Sequence, residues 1–284
     1  MMMDKLLERY FASRECSPRY RESLTRTVRK AMAGGVPSVA ELNPLLVNML
    51  LSNLSSLTST TRGNIRRELL TLWRYAFDER LTEVPPLRVM RIRSAAKPPQ
   101  AWSLAELGRM LTCAEEDETR VGGVSEMKVR DYMPCWVALS YDTALRFSDT
   151  LALKASQIWN GYVVSVAAKT GKPLTRPLSA YSLQRAAELA AKSPDGTLFS
   201  WFLTRRRALR VMRSFLDRHG FQGSGKYLRR SCATYIEADS PGHATRYLQH
   251  SSPALVGRHY VDESLLAVPS GPPPIRAARL EPSY

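Results

Sequence analysis

Cysteine is scarce in this sequence, and long apolar runs are missing. The four cysteines show no CxxC pairing of the kind that binds metals or carries redox chemistry. No secretory signal peptide is recognisable, and no apolar run approaches the roughly 20 residues that a membrane span needs. These absences argue against a disulfide-stabilised secreted protein and against a membrane protein. We expect a cytoplasmic protein with reduced thiols and no membrane partner.

Acidic side chains are too few to balance the basic ones. The 284 residues include 41 Lys and Arg against 26 Asp and Glu, a formal net charge of +15. The excess is shared, because residues 1–95 carry 16 basic and 9 acidic side chains (+7) and the remainder carries 25 and 17 (+8). A surplus of this size is typical of proteins that bind polyanions. We therefore expect two basic modules that clamp one polyanion, either nucleic acid or an acidic membrane surface, and the missing membrane span favours nucleic acid.

The first 95 residues have the apolar periodicity of helices. Residues 4–13, 18–32, 39–54 and 61–79 are predicted to be helical, and the last range is clearest because its apolar side chains recur every three or four positions. The arginines of that helix lie off the apolar stripe, so we predict that they face DNA phosphates, with a merely solvated face as the alternative. They are Arg62, Arg66, Arg67 and Arg74.

Proline and glycine divide the rest of the chain. Residues 96–102 are predicted to be a linker, at the end of a proline-rich, basic stretch without periodicity. A capping box at Ser103 opens a second domain over residues 103–267. Residues 268–284 contain three consecutive prolines and are predicted to form an irregular tail. The expected organisation is a helical DNA-clamping domain at 1–95 followed by a second domain.

The second domain combines helices with short strands. Helices are predicted over 127–141, 182–192 and 203–218. Asn160-Gly161 is a strong hairpin signal, and Thr170-Gly171 marks a second turn, so three strands should form a meander. The fold class predicted for the chain is mainly α with a small antiparallel β-meander. The polar face of the 203–218 helix carries three predicted phosphate contacts: Arg206, Arg210 and Arg213.

The stretch 226–260 carries side chains suited to a phosphodiester substrate. Lys226 and Arg229 lie one helical turn apart, so both can contact one anion, and Tyr260 could attack that anion as a nucleophile. The attack builds charge on the phosphate that must be stabilised. Metal enzymes do this with cations held by clustered carboxylates. The sequence has no such cluster, so we assign the task to the guanidinium groups of Arg146 and Arg229.

Two further residues complete this candidate site. Asp149, three residues after Arg146, could hold that arginine in place. Lys169, beside the second hairpin turn, could protonate the leaving 5′-oxygen, with Lys172 as the competing candidate. The histidines do not have the spacing of a recognised ligand pattern, so no metal site is predicted.

Five short motifs carry a family resemblance. TALRFSD, AAKTG, KYLRRSCAT, LQHSS and RHY occur in this order and together resemble the tyrosine recombinase (phage integrase) family. That family has an arginine in a T-G-L-R-x-x-E-like box, a hairpin lysine, an H-x-x-R box, a G-H pair and a terminal tyrosine. The resemblance spans roughly 103–262, and the N-terminal helices resemble the family's core-binding domain more loosely. It implies catalytic roles for Arg146, Lys169, Lys226, Arg229, His250 and Tyr260, with Asp149 matching the acidic residue of the first box.

The resemblance implies a metal-independent DNA strand transferase that needs no cofactor. Tyr260 would cut and rejoin DNA through a 3′-phosphotyrosyl intermediate, as a site-specific recombinase or integrase of a mobile genetic element does. Four protomers would act together on double-stranded DNA through a Holliday junction, as a nucleoid-associated protein. The free protein would be a monomer or weakly associated.

Two departures from the family pattern leave alternatives open. Lys226 stands where the family has the histidine of H-x-x-R, and Gln249 stands where it has the glycine of G-H. A lysine can donate a hydrogen bond to the phosphate, but an amine is a poor general base near neutral pH, so base duty could shift to His250. The alternatives are a catalytically degenerate DNA-binding protein on the same fold and a type IB topoisomerase.

Overall fold

Helices build the first of two units in the chain. The computed structural model describes residues 1–93, 98–121, 127–168 and 170–266, and the chain divides into the units Met1–Lys97 and Pro98–Tyr284. The helices of the first unit are α1 (Met3–Ser13), α2 (Pro18–Ala33), α3 (Pro44–Asn53) and α4 (Ser59–Asp78).

The helix predicted over 39–54 is divided, and that prediction is wrong in this respect. A 3₁₀ turn over Val39–Glu41 comes first, and α3 then begins at Pro44. The Asn43 side chain accepts a hydrogen bond from the Leu46 N–H, and proline fits the first helical position because its missing N–H is not needed there. A cap and a proline therefore start a new helix inside the apolar run.

The apolar stripe predicted over 61–79 is the core of the first unit. Ile65, Leu69, Leu72 and Trp73 on α4 are buried, and α4 contacts both α1 and α2. Phe77, at the end of the same stripe, stays exposed. The periodicity thus predicts the buried face correctly, except at Phe77.

Residues 81–93 form neither helix nor strand, yet they pack on the helices of the first unit. Trp73 Nε1 donates a hydrogen bond to the Val84 carbonyl at 2.7 Å, and Arg66 Nε donates to the Met90 carbonyl at 2.7 Å. Val89 is buried in the same core. The proline-rich stretch is therefore held against α4 over this range.

The second unit is arranged around α6 (Val129–Thr143). Trp136 and Leu139 on this helix are buried, as are most of its other side chains. It contacts α5 (Leu104–Glu116), α8 (Ala180–Ala190) and α10 (Lys226–Asp239). No helix within the described ranges is both long and apolar enough to cross a membrane. The unit also contains α7 (Phe147–Leu151), α9 (Arg205–Arg218), α11 (His243–Tyr247) and α12 (Pro253–Tyr260).

The predicted meander is confirmed. Strands β1 (Ile158–Trp159), β2 (Tyr162–Val166) and β3 (Pro173–Pro177) pair antiparallel in the order β1-β2-β3. Asn160 and Gly161, which join β1 to β2, have φ of 47° and 81°, as a tight hairpin turn of this kind requires. One face of the sheet packs on the core of the second unit through buried residues of β2 and β3.

The predicted capping box at the start of α5 is also present. The Ser103 hydroxyl accepts from the Glu106 N–H, and the Glu106 carboxylate accepts from the Ser103 N–H. Trp102, just before it, is buried, and its N–H donates to the Ser231 hydroxyl at 2.8 Å. The chain is therefore fastened to α10 immediately before the first helix of the second unit.

Candidate active site

Arg146 lies where α6 gives way to α7. The α6 helix ends at Thr143, and the next residue, Ala144, turns the chain sharply with a φ of 49°. Arg146 is the residue before the first turn of α7. One Nη of Arg146 is 4.0 Å from Asp149 Oδ2, and the Asp149 side chain is only 9% exposed. That carboxylate oxygen has no hydrogen-bond partner among the described residues. Asp149 thus lies at ion-pair distance from Arg146.

Arg229 is held by backbone carbonyls from two separate turns. On α10, its Nη1 donates to the Ala144 carbonyl and its Nη2 donates to the Leu248 carbonyl at 3.2 Å. Ala144 has a left-handed backbone, and so does Gln249, directly after Leu248, with φ of 52°. The buried Nε of Arg229 has no partner among the described residues. The guanidinium is therefore fixed in orientation while one of its donors stays unpaired.

Tyr260 lies beside this guanidinium. Arg229 Cζ is 5.2 Å from the centroid of the Tyr260 ring. Burial lowers the pKa of Arg229, Tyr260 acts in the opposite direction, and the charge of Arg146 lowers the pKa further. Tyr260 and Arg146 are therefore both close enough to Arg229 to influence its pKa. The structure brings the two predicted phosphate-binding arginines and the predicted nucleophile to one place.

His250 reaches the same place from the turn between α11 and α12. Its ring centroid is 6.0 Å from that of Tyr260. Its Nδ1 accepts a hydrogen bond from the Ser252 N–H at 3.4 Å, and Ser252 also caps α12, the helix that ends at Tyr260. Because Nδ1 is the acceptor, a neutral His250 ring carries its proton on Nε2. His250 is thereby presented as a hydrogen-bond donor.

Of the two lysines predicted to be catalytic, the described residues include Lys226 but not Lys169. Lys226 is the first residue of α10, one turn before Arg229, and it is exposed. Lys169 lies outside the described residues. Its neighbour Thr170 lies in the turn between β2 and β3, where the Gly171 N–H donates to the Ala167 carbonyl at 2.8 Å.

The arginines predicted to bind DNA fall into two groups. Arg62 Nε donates to the Leu51 carbonyl at 3.1 Å, and Arg66 is bonded to the carbonyls of residues 89 and 90, so both have structural partners within the first unit. Arg67 and Arg74 are exposed and line a cleft that also contains Tyr10 and Tyr75. The α9 set is exposed along its whole length: Arg206, Arg210 and Arg213.

Sequence reasoning assigned no role to the contacts that surround residue 249. Gln249 Nε2 donates to the Pro173 carbonyl at the start of β3, and the Arg176 guanidinium donates to the Tyr247 carbonyl. In the sequence, only the glutamine at position 249, where the family has glycine, indicated that this segment contacts β3. The sequence around Arg176 gave no indication of its contact, because its partner is a backbone carbonyl 71 residues away along the chain.

The match to a known family decides the identification. A model of the phage integrase family matches residues 106–265, more than half of the chain. The chain belongs to the phage integrase family. The matched range contains every residue of the site described above, from Arg146 to Tyr260.

Solved integrase structures share the fold of this family member. A λ integrase dimer bound to a COC′ core site has 16% sequence identity and a TM-score of 0.76, covering 95% of this chain and 99% of that chain. A λ integrase tetramer bound to a Holliday junction has 17% identity and a TM-score of 0.74, covering 93% and 78%. The Tn1549 transposon integrase with circular intermediate DNA has 12% identity and a TM-score of 0.72, covering 91% and 95%. No curated protein matches the chain by sequence.

Proposed function

We propose that this integrase is a site-specific DNA recombinase that cuts and rejoins DNA through a 3′-phosphotyrosyl intermediate. The observation that carries the proposal is the convergence of Arg146, Arg229, His250 and Tyr260, which come from different helices and turns, around one point. Two cations, a hydrogen-bond donor and a phenol are the groups that an in-line attack on a phosphodiester requires when guanidinium groups stabilise the charge.

The arginines bind the scissile phosphate. A guanidinium has five N–H donors, and Arg229 uses two of them on the Ala144 and Leu248 carbonyls. The N–H donors that remain can then bond the oxygens of a phosphate. Arg146 supplies a second cation, held by Asp149. Because these donors are in place before DNA arrives, they need little reorganisation as charge develops.

Cleavage follows from the placement of Tyr260. Its phenolic oxygen attacks phosphorus, the new O–P bond forms as the bond to the 5′-oxygen breaks, and the 3′-phosphate stays on the tyrosine. The phenol proton leaves to water, since His250 Nδ1 is already an acceptor. His250 Nε2–H and Lys226 donate to the non-bridging oxygens. Lys169 supplies the proton that the 5′-oxygen takes up.

Rejoining is the reverse step with a different hydroxyl. A 5′-hydroxyl from a partner strand attacks the phosphotyrosine, so the energy of the phosphodiester is kept. The λ integrase relatives were solved as a dimer on a core site and as a tetramer on a Holliday junction. We propose that this chain likewise acts as a tetramer on DNA, with its exposed arginines on the phosphate backbone.

Strand exchange tests this proposal against its two alternatives. Two linear duplexes that carry a candidate site, taken from DNA flanking the gene, are incubated with the protein. The recombinase account predicts recombinant products and a four-way junction intermediate. Relaxation of a supercoiled plasmid without junctions would indicate a type IB topoisomerase. Binding to a verified site without cleavage would indicate a degenerate DNA-binding protein.

A further inference from the structure

Three consecutive residues before His250 contact either β3 or the catalytic arginine. The Tyr247 carbonyl accepts from Arg176 on β3, and Arg176 Cζ lies 4.4 Å over the Tyr247 ring. The Leu248 carbonyl accepts from Arg229. The Gln249 side chain donates to the Pro173 carbonyl, the first residue of β3. Residues 247 and 249 are therefore bonded to β3, and the Leu248 carbonyl between them is bonded to Arg229.

Gln249 forms its hydrogen bond to Pro173 from an unfavourable backbone conformation. Its φ of 52° lies in the left-handed region, which is unfavourable for residues that have a Cβ atom and open to glycine. Glycine would relieve that strain but would have no side chain to bond β3. The glutamine thus combines an unfavourable backbone conformation with a hydrogen bond that glycine cannot form.

We propose that Gln249 is a positioning residue for the cleavage step. By tying residues 247–249 to β3, it holds the Leu248 carbonyl against the Arg229 guanidinium and keeps His250 facing Tyr260. Arg176 is the second tie of the same segment to the same strand. The proposal rests on the proposed recombinase function, because its readout is formation of the covalent intermediate.

Gln249→Gly separates a positioning role from a purely structural one. The substitution removes the hydrogen bond to Pro173 and relieves the backbone strain, so the melting temperature should stay equal to that of wild type or rise. The single-turnover rate of covalent complex formation on a nicked duplex, at saturating DNA, should fall about tenfold or more, since a displacement of about 1 Å can slow catalysis 10²-fold. DNA affinity should change less than about twofold.

Two companion variants keep the test independent of how Gln249→Gly folds. Arg176→Met removes the donor to the Tyr247 carbonyl but keeps an apolar stem over that ring, and it should slow the same step with unchanged DNA affinity. Gln184→Ala is the matched control, because Gln184 is an exposed glutamine on α8 that bonds only Glu188 in the described structure. It should react at the wild-type rate.

The outcomes distinguish this inference from the proposed function. Wild type that reacts, together with a slowed and stable Gln249→Gly, supports the positioning role. If Gln249→Gly and Arg176→Met react as fast as wild type, the inference is overturned while the recombinase function stands. If the rates only follow the melting temperatures across the variants, the role is structural and the inference also fails. No covalent complex from wild type on its verified site overturns both.

Discussion

Arg229 is held in a fixed orientation by backbone carbonyls. Its two Nη groups are bonded to the Ala144 and Leu248 carbonyls, one at the end of α6 and the other at the end of α11. These bonds restrict the rotamers of a long side chain that would otherwise lose considerable entropy on binding a phosphate. The partly buried position also strengthens any charge interaction with the substrate. The geometry favours Arg229 as the main phosphate ligand.

Lys226 is where this chain departs from its family in the site itself. An imidazole can take up and release a proton near neutral pH, whereas an amine is mostly protonated there. We predict that Lys226→His cleaves a nicked duplex at least as fast as wild type near pH 7, because both side chains can donate to the phosphate. Lys226→Ala, which removes the donor, should slow cleavage by about tenfold or more. Equal rates for Lys226→Ala and wild type would contradict a role for this residue.

Asp117 is a buried acceptor away from the site and gives a prediction about stability. Burial alone would raise the pKa of its carboxyl, but hydrogen bonds from Thr119, His219 and Arg218 outweigh burial and hold the pKa well below its ordinary value. A lowered folded-state pKa stabilises the protein above the unfolded-state pKa of about 4. That stabilisation is lost as the pH falls from there towards the folded-state pKa.

Asp117→Asn should therefore destabilise the protein in a pH-dependent way. We expect the free energy of unfolding to fall by about 2 kcal/mol at pH 7. The difference from wild type should shrink below about pH 4, where the unfolded state holds the proton. Denaturant unfolding at both pH values measures this, with the exposed Asp217→Asn as control. A difference that is constant with pH would contradict the assignment.

At the scale of secondary-structure elements, short sequence motifs correctly predicted the start of a helix and the turn of a hairpin. The Ser103 capping box and the Asn160-Gly161 hairpin are present because each depends on neighbouring residues alone. Within 226–260 the sequence predicted only the helical turn from Lys226 to Arg229, whereas the structure has three helices there, α10, α11 and α12. Its breaks depend on a left-handed Gly242 and on the Ser252 cap, which stand out only once the helices are packed.

The end of α4 supplies a prediction at this scale. The Arg80 N–H donates to the Phe77 carbonyl and the Leu81 N–H donates to the Ala76 carbonyl, with Arg80 in the left-handed region at φ 55°. This is the geometry of a Schellman motif, in which glycine is preferred. Arg80→Gly should raise the free energy of unfolding by roughly 0.5 to 1 kcal/mol, as relief of strain exceeds the added entropy of the unfolded chain.

Arg80→Ala is the control for that prediction. Alanine removes the same charged side chain but keeps the Cβ atom that is unfavourable at positive φ. Thermal or denaturant unfolding should therefore place Arg80→Gly above Arg80→Ala in stability. The reverse order would show that the Arg80 side chain, and not its backbone, determines stability at this helix end.

Four residues of the candidate site could be predicted from the sequence, but the contacts that hold them could not. Arg146, Arg229, His250 and Tyr260 follow from motif order, and the structure brings them together. The carbonyl contacts of Arg229 and the bond from Gln249 to Pro173 join residues 19 to 85 positions apart. They involve backbone atoms that every residue has, so no residue type signals them. Such contacts become visible only when the fold is known.

At the scale of the whole molecule, the positive charge predicts salt-sensitive DNA binding. Each protein–phosphate contact releases counterions and contributes about −0.9 to the slope of log affinity against log salt concentration. Replacing the exposed Arg206, Arg210 and Arg213 by glutamine should therefore reduce the steepness of that slope by up to about 2.7. Fluorescence anisotropy with a duplex over a range of salt concentrations measures it.

A matched charge change controls for the general effect of net charge. Glutamine at three exposed arginines outside the predicted DNA-binding sets removes the same charge from the second unit: Arg109, Arg120 and Arg130. The slope of this variant should stay close to that of wild type. Equal slope changes in both triple variants would show that α9 has no particular role in DNA binding.

The most direct test of the central claim is whether Tyr260 becomes covalently joined to DNA. Wild type and Tyr260→Phe are incubated with a nicked duplex that carries the recombination site, from which the cleaved fragment diffuses away, and the products are separated on a denaturing gel. The account predicts a covalent protein–DNA band with wild type and none with Tyr260→Phe, although both bind the duplex equally well. A covalent band that persists in Tyr260→Phe, or its absence from wild type on a verified site, would contradict the account.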